Sequence, residues 1–388
     1  MKKVAIITGT RAEYGLLRPL IKAISEDCEL KLLLIASGMH LSEVFGYTYE
    51  EIEADGFFID RKVEDHLSGD SALAITKALG IGMIGFSEAF DELDPDLVIV
   101  LGDRSEILAA VIAAMIKGIP TAHLHGGEST EGAYDESIRH AITKMSFLHF
   151  TSTELYRKRV IQLGESPDRV FNVGAIGVDS IKKIKLLSRV EFEKSICFKL
   201  KKYNIIITFH PVTLEKSTAK KQFSELLKAV DKLENTSLIF TKPNSDKDGY
   251  IIIKMIDEYV ALNPEKAISF ISMGQLRYLS ALKYIDVVVG NSSSGIYEAP
   301  IFHKPTINIG DRQKGRFMPI SVINCKPFLK DIDKAFKLAF NKEFNNSIKS
   351  QKSMFGNGTA TQQIIETIKS YKIEGVKKSF YDLHANKN

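Results

Sequence analysis

Apolar positions along this chain gather into short blocks of strand length, and most successive blocks are separated by stretches with helical spacing. In the first half the blocks are Val4–Thr8, Leu30–Ala36, Leu97–Leu101, Ile119–Leu124, Phe147–Thr151 and Val170–Val173. A second series follows the Lys-rich passage from Ile181 to Lys202: Asn204–Phe209, Ser237–Thr241, Ile268–Ile271, Ile285–Val289 and Thr306–Ile309. Strands that alternate with helices predict parallel sheets. The expected architecture is therefore α/β, with two Rossmann-like, doubly wound domains at residues 1–180 and 181–358 and a ligand in the cleft between their facing strand ends. Residues 359–388 read as a helix over Thr359–Tyr371 and a tail, packed back on the first domain.

One string invites a different reading. Gly80-Ile81-Gly82-Met83-Ile84-Gly85 carries the letters of GxGxxG, but Ser71–Leu79 before it already reads as helix and the pattern runs on to Leu93. A dinucleotide fingerprint needs a strand before it and a new helix after it, so these glycines are assigned to close helix packing.

Composition narrows the function classes. The chain has 388 residues, 44% hydrophobic and 26% charged, which suits two folded domains of roughly 150–200 residues. Its net charge of +4 arises from 52 basic and 48 acidic residues spread through the sequence, so no basic face points to nucleic acid, while a small anionic ligand stays open. The opening MKKVAIITGT breaks at Gly9-Thr10-Arg11 and reads as a first strand rather than a leader. No run of about 18 consecutive apolar residues offers a membrane span, and the expected location is cytoplasmic. Cys28, Cys197 and Cys325 are odd in number and far apart, which fits neither a disulfide framework nor a zinc site.

The chemistry concentrates where strands end. Gly102-Asp103-Arg104 leaves the Leu97–Leu101 block, His125-Gly126-Gly127-Glu128 leaves the next, and Asp135 and Glu136 open a helix carrying Arg139 and His140. One crevice at these carboxyl ends can collect the carboxylates of Asp103, Glu128 and Asp135. The loop Gly9–Gly15 enters a helix and offers backbone amides and Arg11 to an anion; a solvated capping loop is the equal alternative. Gly290-Asn291-Ser292-Ser293-Ser294-Gly295 is the stronger anion signal, since small residues let a phosphate approach and hydroxyls bond its oxygens. Glu298 lies just beyond it, placed for a ribose, and Arg312 sits in the basic loop after Thr306–Ile309. His210 ends the first strand of the second domain, and Asn244 follows the next as a base or sugar contact. His40, His123, His125 and His140 match no zinc spacing, so they are read as polar site residues without a metal.

The strings GTRAEYG, SGMH, GDR, HGGE, YDESIRHAITKMS, FHPVT, GNSSSG and INIGDRQKGR, in this order up to Arg316, resemble the hydrolysing UDP-N-acetylglucosamine 2-epimerases of sialic acid synthesis. That resemblance implies a fold like the double-Rossmann (GT-B) glycosyltransferases and no cofactor. It implies that UDP-N-acetylglucosamine and water become N-acetylmannosamine and UDP, by elimination to a glycal and rehydration that inverts C2. Carried over residue by residue, Asp103, Glu128, Asp135 and His210 match catalytic positions. Arg11, Ser292, Ser293, Glu298 and Arg312 match positions that hold UDP, with Arg139 and His40 near the sugar and Arg104, His125 and Asn244 as further substrate contacts. The non-hydrolysing sister enzymes carry an acid where this chain has His125, so Glu128 takes that place here. A close relative acts on UDP-2,4-diacetamido-2,4,6-trideoxyglucose on the way to legionaminic acid and is the alternative substrate reading. A glycosyltransferase is the alternative reaction. A UDP-sugar and UDP are the expected partners, together with a second copy in a homodimer or higher homo-oligomer.

Overall fold

The computed structural model describes residues 1–43, 46–65, 72–129, 135–211, 218–243, 249–271, 273–350, 354–373 and 375–383. The chain divides into a first unit of Met1–Lys182 with Phe355–Asn388 and a second of Lys183–Met354. Each unit is built on one parallel sheet.

Strands of the first unit are β1 (Lys2–Thr8), β2 (Leu30–Ser37), β3 (Arg61–Val63), β4 (Leu97–Leu101), β5 (Thr121–Leu124), β6 (Leu148–Thr151) and β7 (Val170–Asn172). They lie in the order β3-β2-β1-β4-β5-β6-β7. The second unit holds β8 (Tyr203–Thr208), β9 (Thr236–Thr241), β10 (Ala267–Phe270), β11 (Val287–Gly290), β12 (Thr306–Ile309) and β13 (Val322–Cys325), in the order β10-β9-β8-β11-β12-β13. Both are doubly wound, as the alternating pattern predicts. Each reverses strand order once, between β1 and β4 and between β8 and β11, and a crevice at such a reversal is where ligands of this fold class bind.

Helices cover both faces of each sheet, which is why the strands read as unbroken apolar runs. In β1, Val4 and Ile6 face a layer containing Leu17, Leu20 and Ile24 from the Arg11–Ser25 helix. Ala5 and Ile7 face the opposite layer with Phe86, Phe90 and Val111. Two of the four edge strands, β3 and β13, escape the sequence pattern. As edges they are less completely covered, and RKV and VINC carry no apolar run to announce them.

Gly80, Gly82 and Gly85 lie inside the Ala72–Leu93 helix, as their context indicates. A Cβ at Gly82 would press on Ala109 of the Ser105–Lys117 helix, and one at Gly85 would strike Val63. Gly80 meets nothing within reach, so the packing explanation holds for two of the three. By length and composition Leu73–Leu93 is the one helix among the described residues able to cross a bilayer. Leu73, Ile81 and Ile84 recur along one exposed face of it.

The last helix, Ala360–Ser370, returns to the first unit and buries Ile364 and Ile368 in the same core as Leu17 and Ile21. Its free amino end is met from far away in sequence. The buried Asp179 carboxylate accepts the amide N–H of Ala360 at 3.1 Å and of Thr361 at 2.7 Å. Asp179→Ala leaves two buried donors unmet and should cost about 1–3 kcal/mol. In a unit of this size that is about 2–4 °C of melting temperature per kcal/mol. Calorimetry together with hydrogen exchange over residues 360–370 checks this, and an unchanged melt with unchanged protection would refute it.

Candidate active site

The first unit assembles its site around Arg139. This residue projects from the Asp135–Met145 helix and is 4% exposed. One guanidinium nitrogen bonds the Asp103 carboxylate. The other donates to the Glu128 carbonyl at 3.0 Å and to Glu136 Oε2 at 3.4 Å. One buried cation thus ties the loop after β4, the loop after β5 and the helix between β5 and β6. Asp135 stands one turn before Arg139, and burial, with the Asp103 charge adding to it, raises its pKa. Asp103 is further held through its neighbour: His123 Nε2 donates to the Gly102 carbonyl at 2.8 Å while Nδ1 meets Thr143 Oγ1 at 3.1 Å. Burial pushes His123 down to about 3, so the ring stays neutral and serves as a strut.

Glu128 is buried, and its Oε1 accepts from Ser152 Oγ at 2.9 Å and faces His125 Nδ1 at 3.0 Å. His125 Nε2 accepts the Ile176 amide N–H at 3.4 Å, which leaves the ring proton on Nδ1, pointing at Glu128. The backbone of His125 is left-handed at φ 64°, an uncommon state for a non-glycine residue and one that clusters at functional sites. The glycine two residues on is required by space: a Cβ on Gly127 would come within 2.5 Å of the Tyr156 carbonyl. The sequence resemblance places His125 and His40 at the substrate; in the structure their ring nitrogens meet protein groups. Both His125 nitrogens are engaged with protein. His40 is wholly buried, with Nε2 against Thr8 Oγ1 at 3.0 Å and Nδ1 against Thr48 Oγ1 at 2.8 Å, and it supports the end of β1.

Beneath the reversal between β1 and β4 lies a layer of acids that the motifs did not single out. Arg104 donates from Nε to Glu106 Oε1 at 2.5 Å and reaches Met39 Sδ at 3.6 Å. Glu106 is buried against Gly9. Glu13 Oε2 accepts the Gly9 N–H at 2.8 Å, and burial, then the Glu106 charge, pushes its carboxyl up to about 8. Asp65 accepts the Gly38 N–H at 2.8 Å and is pushed up to about 6, chiefly by burial. The available signals were Glu13 inside GTRAE and Glu106 two residues after Arg104. Arg11 opens the Arg11–Ser25 helix at the surface, 3.8 Å from Glu51.

In the second unit, Gly290 ends β11 at φ 132°, and a Cβ there would fall 1.9 Å from the Thr208 carbonyl, so only glycine fits. Asn291 follows and is 1% exposed. Its Oδ1 accepts the His210 N–H and its Nδ2 donates to the His210 carbonyl, each at 2.7 Å. Its own carbonyl accepts Arg312 Nη1 at 3.0 Å and Gln313 Nε2 at 2.8 Å. Ser292 and Ser293 sit half-buried at the start of the Ser294–Tyr297 turn of helix. Ser294 Oγ bonds Tyr278 Oη, and burial raises the carboxyl of Glu298. Burial and then Arg312 take His210 down to about 4, so it acts as a neutral ring. Asn244 lies outside the described residues. The second unit thus presents hydroxyls, a neutral imidazole and Arg312 at one strand-order reversal, an arrangement suited to a phosphate. The first gathers several carboxylates around cations, an arrangement suited to proton transfer.

Residues 22–369 match the family described as UDP-N-acetylglucosamine 2-epimerase. The chain is 43% identical to the GDP/UDP-N,N'-diacetylbacillosamine 2-epimerase (hydrolyzing) of Campylobacter jejuni, over 98% of this chain and 99% of that one. It is 38% identical to the polysialic acid biosynthesis protein P7 of Escherichia coli, over 99% and 98%. Among solved structures it resembles the UDP-GlcNAc 2-epimerase of Neisseria meningitidis bound to UDP-GlcNAc, with a TM-score of 0.81 at 18% identity, covering 96% and 100%. At that identity the likeness is one of fold.

The buried Glu13 carboxyl sets a pH dependence. The unfolded chain releases this proton near 4.5, whereas the folded chain keeps it up to about 8. Its contribution is fully present below pH 4.5 and is lost as pH rises toward 8, and Asp65 acts in the same sense up to about 6. Glu13→Gln cannot ionise and should reduce the fall in melting temperature between pH 5 and pH 8, by about 2–4 °C per kcal/mol recovered. A variant that tracks the parent at both pH values removes the buried-proton assignment.

Proposed function

The chain belongs to the UDP-N-acetylglucosamine 2-epimerase family, and we propose that it is a hydrolysing 2-epimerase acting on a UDP-linked 2,4-diacetamido-2,4,6-trideoxyglucose. The products are UDP and the free sugar with inverted C2. The observation that supports the substrate is the 43% identity, over nearly the whole of both chains, to the Campylobacter jejuni protein named a GDP/UDP-N,N'-diacetylbacillosamine 2-epimerase (hydrolyzing). UDP-N-acetylglucosamine, placed first by the sequence reading, becomes the second substrate, supported by the 38% identity to the polysialic acid protein.

The chemistry follows from the two sets of side chains. In the first step the C2–H and C1–O bonds break, C1=C2 forms, and UDP leaves with the bonding pair. Water then adds its oxygen to C1 and gives up one proton to Glu128, while the C1=C2 bond opens and a proton reaches C2 from the opposite face. Asp103, oriented by Arg139, takes the C2 proton. Asp135 returns one, and its raised pKa supports that role, since an acid must hold its proton at working pH. Glu128, anchored through Oε1 by Ser152 and His125, orients the water. Ser292, Ser293 and Arg312 meet the charge of the departing diphosphate, with neutral His210 as a hydrogen-bonding partner and Glu298 on the ribose.

Purified protein incubated with each UDP-sugar in heavy water, followed by proton NMR, tests the reading. The expected product is free 2,4-diacetamido-2,4,6-trideoxymannose with deuterium at C2, and kcat/KM should exceed that for UDP-N-acetylglucosamine by at least about tenfold, a discrimination one well-placed polar contact supplies. The reverse preference overturns the substrate, and product without deuterium overturns the elimination. Asp135→Asn should lower kcat by about 100-fold or more while UDP affinity stays within about threefold. Full activity in that variant removes Asp135 from the proton path.

A further inference from the structure

We propose that Asn291 is the positioning residue that joins His210, the serine turn and the Arg312 loop into one rigid element, and so sets the effectiveness of His210 on the substrate. The inference rests on the function proposed above and adds a residue that none of the motifs assigned a role. Asn291 stands at the strand-order reversal of the second sheet, where β8 and β11 run side by side and Gly290 is paired with Thr208. Its backbone N–H donates to the Thr208 carbonyl at 3.1 Å. Its side chain closes a two-way bond with the N–H and C=O of His210, both at 2.7 Å. In this respect the amide extends the β8–β11 ladder by one rung past the last strand residue. The carbonyl of the same residue receives Arg312 and Gln313 from the loop after β12. Three consecutive strand ends of the sheet, β8, β11 and β12, are therefore referenced to a single residue, β8 through its side chain and β12 through its backbone carbonyl.

The consequence for His210 follows from what its ring lacks. His210 Nδ1 is buried and has no hydrogen-bond partner among the described residues, so no side chain among them holds the ring at that atom. Its placement is inherited from its backbone, and that backbone is held by Asn291. A misplacement of about 1 Å in a positioned group can cost about 100-fold in rate. Asparagine is suited to the task because one end of its amide accepts and the other donates. Aspartate keeps the acceptor for the His210 N–H but sets a second oxygen against the His210 carbonyl, and alanine offers neither.

The test uses the full chain carrying Asn291→Ala or Asn291→Asp, and reads the His210 ring by nitrogen-15 NMR titration without any sugar present. The parent ring should titrate near 4. Release from its buried place beside Arg312 should move it up by about one pH unit or more in Asn291→Ala, and further in Asn291→Asp, where a carboxylate stands nearby. With substrate, kcat should fall by about 100-fold while KM changes by less than about threefold. A ring that titrates as in the parent, or a kcat that stays at the parent value, overturns the proposal. Should both variants fail to fold, Gln313→Ala removes one of the two donors on the Asn291 carbonyl. The His210 titration must then still move upward, by a smaller amount, and a titration that stays in place overturns the proposal. If the parent turns over neither UDP-sugar, the function proposed above fails on its own terms, and the sugar-free titration alone decides Asn291.

Discussion

A guanidinium shut away from water must be met by oxygen atoms, and that requirement at Arg139 organises the first unit. With 4% of the residue exposed, its charge is met among the described residues by Asp103, Glu136 and the Glu128 carbonyl, which all turn toward it. The two loops that supply Asp103 and the Glu128 carbonyl would otherwise be independent of each other and of the helix that carries Glu136 and Arg139. Their convergence explains how Asp103 and Asp135, two like charges, are held near enough for one to raise the other's pKa. The cation beside them keeps the arrangement from flying apart.

The second unit solves the same topological problem with neutral groups. Both sheets reverse strand order once, and both leave polar loop ends at that place. Beneath the first reversal, charges do the fastening: Arg104 to Glu106, with protonated Glu13 beside them. At the second reversal the fastening is amide to backbone, through Asn291, with one arginine reaching in from outside. The division suits the work assigned to each. Proton transfer at carbon needs ionisable groups with separated pKa values, whereas holding a diphosphate needs donors that do not compete with it for charge.

Much of this was legible in the chain. LVIVL at β4 is wholly buried on both faces, and a parallel strand in that condition can only read as a continuous apolar run. The loops GDR, HGGE and GNSSSG were legible because chemistry in this fold collects just past such runs. What escaped detection depends on partners chosen by tertiary structure. Nothing local marks Asn291 as the clamp on His210, or the Ile176 amide as the donor that fixes the His125 ring, since the partners in each pair lie far apart in sequence. The partners of His40 are equally silent in the string SGMH, since the fold brings the Thr8 and Thr48 hydroxyls to its imidazole. The edge strands β3 and β13 were missed because incomplete burial leaves no apolar signature.

The Asp179 cap on Ala360 and Thr361 spans 181 and 182 positions of sequence, and the whole second unit is threaded between its two ends. Such an arrangement imposes an order of assembly as the chain leaves the ribosome. Residues 183–354 can complete their own sheet from contiguous chain, while the Arg11–Ser25 helix waits with the surface around Leu17 and Ile21 uncovered until the final helix emerges. During that interval the nascent protein carries a sticky apolar flank, and a factor that shields hydrophobic surface on unfinished chains would find its footing there.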